Sequence, residues 1–240
     1  MSDPLHQFNI HPLLPLRWEG VDISFTNSSL FMVLAVVATT LFLLGGMSRS
    51  KLIPDRWQSM TEMTYGFVAN LIDETIGLKG QKYFPFVFTI FMFIFMGNVI
   101  GMIPYTFTFT SHIIVTFGLA MIAFGVATLI GFARHGFHYF SLFVPKGAPI
   151  YMLPIIVPIE ILSYLSRPIS LSIRLFANMM AGHTMLKVFA GFTIALGIFG
   201  VGPLLINTLL TAFEILVAVL QAYVFTILTC IYLNDSINLH

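Results

Sequence analysis

Charge is what this sequence has least of. Lys, Arg, Asp and Glu together make up 9% of its 240 residues, where a soluble domain carries about 25%. So few charges cannot dress a water-facing surface, which excludes a soluble globular domain of this size. From Phe84 to Phe132 there is no Asp, Glu, Lys or Arg at all. Cysteine is nearly absent: Cys230 stands alone, so no internal disulfide can form. The net charge is only +1 and no basic cluster exists, which leaves no footing for nucleic acid. The N-terminal stretch "MSDPLHQFNIHPLLPLRWEGVDISFTNSS" lacks a basic n-region, and the first apolar run starts too late for a cleaved signal peptide. No internal repeat, low-complexity tract or soluble domain is apparent.

What is there in quantity is apolar surface, at 58% of residues. The expected fold is all-α: one polytopic integral membrane domain over residues 1–240. A first span is expected at about 30–46. The basic stretch after it, with Arg49, Lys51 and Arg56, marks the inner side and puts the N-terminus outside. Residues 57–77 mix Glu62, Asp73 and Glu74 into apolar residues, the pattern of an amphipathic helix lying on the inner surface. Residues 84–132 fit a transmembrane hairpin with an outer turn near 103–112. Arg134, His135, His138 and Lys146 return the chain to the inner side. Two long apolar segments follow, at 150–192 and 204–233. The first is about twice the length a perpendicular span needs, so it must tilt strongly, lie along the membrane, or break.

Polar residues inside these segments are the candidates for function. Asn98 is the one polar side chain in the middle of the hairpin's first helix, as an interhelical hydrogen-bonding group or as the lining of a polar path. The first long segment carries Glu160, Tyr164, Arg167, Arg174, Asn178, His183 and Lys187. A central Arg costs about 2.5–3.5 kcal/mol to insert, and an intramembrane charge is by default a functional group. At 100° per residue Glu160, Arg174 and Asn178 share one face, with Glu160 about 21 Å from Arg174 along the axis. The two cannot be a simple ion pair, so Arg174 is a fixed cation whose partner comes from elsewhere. Arg167 and Lys187 read as snorkelling anchors. In the last segment Asn207, Glu214 and Gln221 recur every seven residues on one face, and Asp235 stands at the far end. Asn207 and Gln221 suit helix packing. Glu214 and His183, on neighbouring helices, suit either a structural pair or a proton relay.

"RLFANMMAGH", followed by "FEILVAVLQAYVFTILTCIYL", resembles subunit a of the rotary F-type ATP synthase, the stator subunit beside the c-ring. The resemblance covers essentially the whole chain. It implies a non-catalytic proton-channel subunit with two offset aqueous half-channels and no cofactor. It also implies the ring, the peripheral-stalk b subunits and membrane lipid as partners. The motif arginine matches Arg174, facing the ring carboxylates; the motif asparagine matches Asn178, and the glutamine of the last helix matches Gln221. Well-known bacterial members carry Glu and His where this chain has His183 and Glu214. That exchanged order resembles the mitochondrial form and implies an alphaproteobacterial or mitochondrial-type source, in a bacterial inner membrane or, alternatively, a mitochondrial one. Glu160 and Tyr164 match positions on the inner half-channel, and Asp235 an acidic position near the outer one. The resemblance thus puts Asp235, His183 and Glu214 on one outer path. Two other classes compete on the residues alone. A haem- or quinone-binding redox subunit needs axial histidines, for which His183 and His112 are the candidates. An ion-coupled secondary transporter needs an internal repeat.

Overall fold

The computed structural model describes residues 9–15, 17–18, 21–22, 24–48, 51–103, 106–144 and 150–238. Arg49 and Lys146, part of the basic inner-side pattern, lie outside the described residues. The apolar runs form helices because a chain in hydrocarbon must satisfy its backbone hydrogen bonds internally. They are α1 (Asn27–Met47), α3 (Phe84–Gly101), α4 (Ile113–His135), α5 (Leu153–Ala195) and α6 (Val201–Ile237); α2 (Arg56–Thr75) lies between the first two. All except α2 belong to segments long and apolar enough to cross a membrane. The chain is thus an all-α polytopic membrane protein.

Four short strands precede α1: β1 (Pro12–Leu14), β2 (Arg17–Trp18), β3 (Val21–Asp22) and β4 (Phe25–Thr26). β1 pairs antiparallel with β4, and β2 with β3. Nothing in the sequence announces them, because two or three residues are too few for an alternation to register. Asn27 joins this hairpin to α1: its Nδ2 donates to the Asn9 carbonyl (3.1 Å), and its Oδ1 accepts from the His11 N–H (3.2 Å).

α6 is the centre of the bundle, packed against α2, α3, α4 and α5. Ala222, Phe225, Cys230, Leu233 and Ile237 meet Val87, Ile90 and Ile94 of α3 and Leu171 and Leu175 of α5. α4 contributes the small residues Ala120, Ala123 and Ala127, which let backbones approach closely where no water drives association. α2 buries Thr61, Val68, Leu71 and Ile72 and leaves Trp57, Met63 and Phe67 outward.

α5 runs 43 residues, about 64 Å at 1.5 Å per residue, against about 30 Å of hydrocarbon. Of the outcomes open to it, breaking is not the one taken. The helix continues through Pro158 and Pro168, although each removes a backbone donor. A tight 3₁₀ turn, Gly197–Gly200, then reverses the chain into α6. Gly197 takes φ 53°, a conformation an L side chain rarely adopts.

Candidate functional site

The reversal makes α5 and α6 antiparallel, and their polar residues meet in rungs. Arg167 Nη1 donates to Asp235 Oδ2 at 2.7 Å. Asn178 Nδ2 donates to Gln221 Oε1 at 3.0 Å. His183 Nδ1 lies 3.6 Å from Glu214 Oε1. Each step up α5 is a step down α6, as antiparallel neighbours require. His183 with Glu214 is the couple that the sequence puts on neighbouring helices; the Asn178–Gln221 bond is one that the sequence reading did not pair.

Arg174 stands between the Arg167 and Asn178 rungs and joins neither. α5 buries one narrow stripe of Pro168, Leu171, Ser172, Leu175 and Met179 against the bundle. Arg174 lies off that stripe, exposed, with no hydrogen bond or ion pair to any described residue. Its exposed neighbours within a turn are Ser170, Ile173, Ala177 and Asn178, none of them charged. A guanidinium, always charged, therefore projects from a stretch of α5 with no other charge within one turn.

At the Glu214 rung the environment is closed. Glu214 is 4% exposed, and neither carboxylate oxygen has a hydrogen-bond partner among the described residues. Gly182 makes the space: a Cβ there would lie 2.6 Å from Glu214 Oε1. His183 turns its other ring nitrogen, Nε2, to Thr108 Oγ1 at 3.0 Å. Asn98, fully buried, donates from Nδ2 to the Ala218 carbonyl at 3.1 Å, one turn along α6 from Glu214. It thus makes the interhelical bond that is one of its two readings. Asn207 is half-buried, with its Oδ1 unpartnered among the described residues.

The other end of the α5–α6 pair holds a second cluster. Tyr164 Oη lies 2.8 Å from Thr128 Oγ1 and 2.7 Å from Tyr139 Oη, and Tyr139 Oη lies 3.4 Å from Ser236 Oγ. Tyr139 reaches in because Gly131 leaves room for its ring, which a Cβ would strike. The Arg167 guanidinium sits 5.4 Å from the Tyr164 ring centre and 5.7 Å from that of Tyr232. Arg167 is therefore a half-buried, ion-paired residue and not a snorkelling anchor. Glu160, about one turn from Tyr164, is half-buried with no hydrogen bond or ion pair to a described residue.

Asp235 corrects the sequence reading. Its partner is Arg167, among Tyr164, Tyr139 and Ser236, at the end of the bundle where His135 Nε2 meets the Ile237 carbonyl at 3.2 Å. Glu214 lies about 31 Å away along the α6 axis. Asp235 therefore stands at the Tyr164 end of the α5–α6 pair and not at the His183–Glu214 end.

Thr108, Thr128, Tyr139, Gly182 and Ser236 were not singled out in the sequence. Hydroxyls and glycines are common in membrane helices, and no spacing marks these. Among the described residues no three His, Cys, Asp or Glu side chains converge as a metal site would require. Both His183 nitrogens face protein groups, which leaves no lone pair turned toward an axial haem position. His112 ends the turn between α3 and α4, stacked 5.1 Å from Phe107; burial pushes its pKa below the usual histidine value.

Comparison with known proteins identifies the family. A match to the family described as ATP synthase A chain spans residues 29–234. A protein of Rhodospirillum rubrum named ATP synthase subunit a is 57% identical over 100% of both chains. Its namesake from Pelagibacter ubique is 56% identical over 100% of this chain and 99% of the relative. That from Mesorhizobium japonicum is 54% identical over 98% and 96%. The chain belongs to the ATP synthase A chain family.

Proposed function

We propose that this chain is the proton-translocating stator subunit of the membrane sector of a rotary ATP synthase, and that Arg174 separates two offset aqueous half-channels beside a ring of carboxylate-bearing helices. The observation that carries the proposal is Arg174 itself: a permanent cation, exposed on α5 with no other charge within one turn and no hydrogen-bond or ion-pair partner among the described residues. Family membership supports the same role. A charge that costs about 2.5–3.5 kcal/mol to insert needs a counter-charge that none of the described residues provides. The small residues Ser170, Ala177 and Ala181 around it let another helix approach closely.

The mechanism follows from charge. A ring carboxylate arriving at Arg174 gives up its proton, because an adjacent cation favours the ionised form. Arg174 cannot lose its own proton, so it passes none through and blocks a direct leak. On the outer side, His183 and Glu214 deliver a proton to the next carboxylate, with Asn178 and Gln221 bordering the path. The neutral site then turns into lipid. After nearly a full turn it releases its proton toward the inner side past Tyr164, Glu160 and Asp235. The membrane potential drives this with about 2.3 kcal/mol per charge per 100 mV, together with the pH gradient. The chain makes and breaks no covalent bond; ATP chemistry belongs to the complex. It sits in a bacterial inner membrane with its N-terminus outside and α2 along the inner surface, where the b subunits of the peripheral stalk also dock.

Reconstitution tests this. Vesicles containing the membrane sector, under a potassium diffusion potential, should take up protons only when both this chain and the ring are present. Carbodiimide modification of the ring carboxylate should stop the uptake. Conductance by the chain alone, or none with both present, would contradict the proposal. A second expectation concerns Glu160. Glu160→Gln should slow ATP-driven pumping, because one proton-exchanging group is lost. The effect should be strongest when proton exchange on the inner side limits the rate. A wild-type rate and pH dependence would make Glu160 structural only.

A further inference from the structure

We infer that Thr108 is a positioning residue for proton transfer, holding the His183 ring with its hydrogen on Nε2 so that a bare Nδ1 faces Glu214. The inference rests on the proton-transport reading above and adds a residue to it.

Thr108 is 5% exposed and comes just before the 3₁₀ turn Phe109–Ser111, between α3 and α4. Two glycines place it. Gly97 and Gly101 lie four apart, so they share one face of α3. A Cβ on Gly97 would strike the Phe109 ring, and one on Gly101 would lie 2.7 Å from both Thr108 Cγ2 and Oγ1. The two bare positions form a socket into which the turn plugs. Phe109, 1% exposed, fills one half and Thr108 the other. The hydroxyl is left pointing across to α5.

The Thr108 hydroxyl has one hydrogen and two neighbours: the Gly101 carbonyl at 3.2 Å and His183 Nε2 at 3.0 Å. A carbonyl oxygen can only accept, so the hydroxyl donates to Gly101. Its lone pair then accepts from a hydrogen on Nε2. The opposite assignment would leave two oxygens 3.2 Å apart with no hydrogen between them. Nε2 therefore keeps its hydrogen in the neutral ring and in the imidazolium alike. The proton that comes and goes is on Nδ1, 3.6 Å from Glu214 Oε1. Transfer from a protonated Glu214 to Nδ1 yields a carboxylate and an imidazolium whose Nε2–H still rests on Thr108; the reverse step restores both. The charged groups acting on the ring are Glu214 from α6 and Lys187 from its own helix. α3 and the turn bring no Asp, Glu, Lys or Arg, since 84–132 contains none; among the described residues of the turn, His112 is the titratable group.

The test uses the intact complex in vesicles with Thr108→Val, Thr108→Ser and His183→Gln, and assembly checked for each. Thr108→Val keeps the shape and removes the hydroxyl. It should slow ATP-driven pumping about three- to tenfold, the range for one ordinary intramolecular hydrogen bond. Thr108→Ser, which restores the hydroxyl, should stay within about twofold of wild type. Nitrogen-15 spectra of histidine-labelled complex, with His183 assigned by difference against His183→Gln, should show the Nε2–H form in the wild type and a mixture in Thr108→Val. A wild-type spectrum with the hydrogen on Nδ1 would overturn the inference, even if the valine variant failed to assemble. Wild-type pumping by Thr108→Val beside an impaired His183→Gln would overturn it too, and would leave the proton-transport reading standing. Wild-type pumping by His183→Gln as well would count instead against the relay itself.

Discussion

Replacing Arg174 by alanine is expected to abolish both ATP-driven proton pumping and proton-driven ATP synthesis while the subunit remains in the complex. The two halves of that result have separate causes. Arg174 is exposed and touches no hydrogen-bonding or ionic partner among the described residues, so its removal opens no cavity and orphans no group. Exposed substitutions of that kind change stability by about 0.5 kcal/mol or less, and losing an intramembrane charge lowers the cost of insertion. Assembly should therefore survive. Function should not, because the charge proposed to make each ring carboxylate release its proton is gone. The loss should reach at least about hundredfold, the scale for one pre-placed charge-stabilising group. Arg174→Lys should also fail or be badly impaired. A lysine can lose its proton when desolvated and lacks the planar fork. Synthesis and pumping assays on vesicles, with the subunit quantified in each, check this; wild-type synthesis in Arg174→Ala vesicles would end the account.

The second large effect concerns His183 and Glu214. His183→Glu alone places two carboxylates at a closed site, where Glu214 is already 4% exposed and unpartnered among the described residues. Two like charges about 4 Å apart repel by about 4 kcal/mol at an effective dielectric of 20. Glu214→His alone places two imidazoles there with no acid. Each single exchange should slow outer-side protonation at least about tenfold. The double exchange, His183→Glu with Glu214→His, restores one acid and one imidazole across the same helix pair. It should pump faster than the product of the two single effects would allow. Coupling of that kind is the signature of residues working together. If the double exchange merely multiplies the two losses, the side chains do not act as a pair, and outer-side delivery falls to other groups such as Asn178.

Much of this was legible in the sequence because membrane helices are specified by composition. The absence of charge from Phe84 to Phe132 is enough to place α3 and α4, and a seven-residue spacing is enough to put Glu214 and Gln221 on one face. Arg174 stood out for the same reason: a lone cation in an apolar helix has few structural uses. What was not legible depended on neighbours distant in the chain. Arg167 and Asp235 are separated by most of two long helices, and no local pattern pairs them. The outer position of Asp235 came from the resemblance and conflicted with helix length, since about 31 Å of α6 lies between it and Glu214. The continuity of α5 through Pro158 and Pro168 was open, because a proline can bend a helix or end it. Thr108 was hidden in "YTFTFTS", where nothing distinguishes one threonine from the next; only the Gly97–Gly101 socket selects it.

The central claim is that the Arg174 face of α5 lies against the ring. Disulfide cross-linking tests it most directly. With Cys230→Ser removing the only native thiol, single cysteines at Ser170 or Ala177, roughly one turn either side of Arg174, are paired with a cysteine one turn from the ring carboxylate. Cysteines at Leu171 or Met179, on the buried stripe, serve as controls. The expected result is rapid cross-linking from Ser170 and Ala177 and none from Leu171 or Met179. Cross-links from the buried stripe alone, or from no position on α5, would contradict the account.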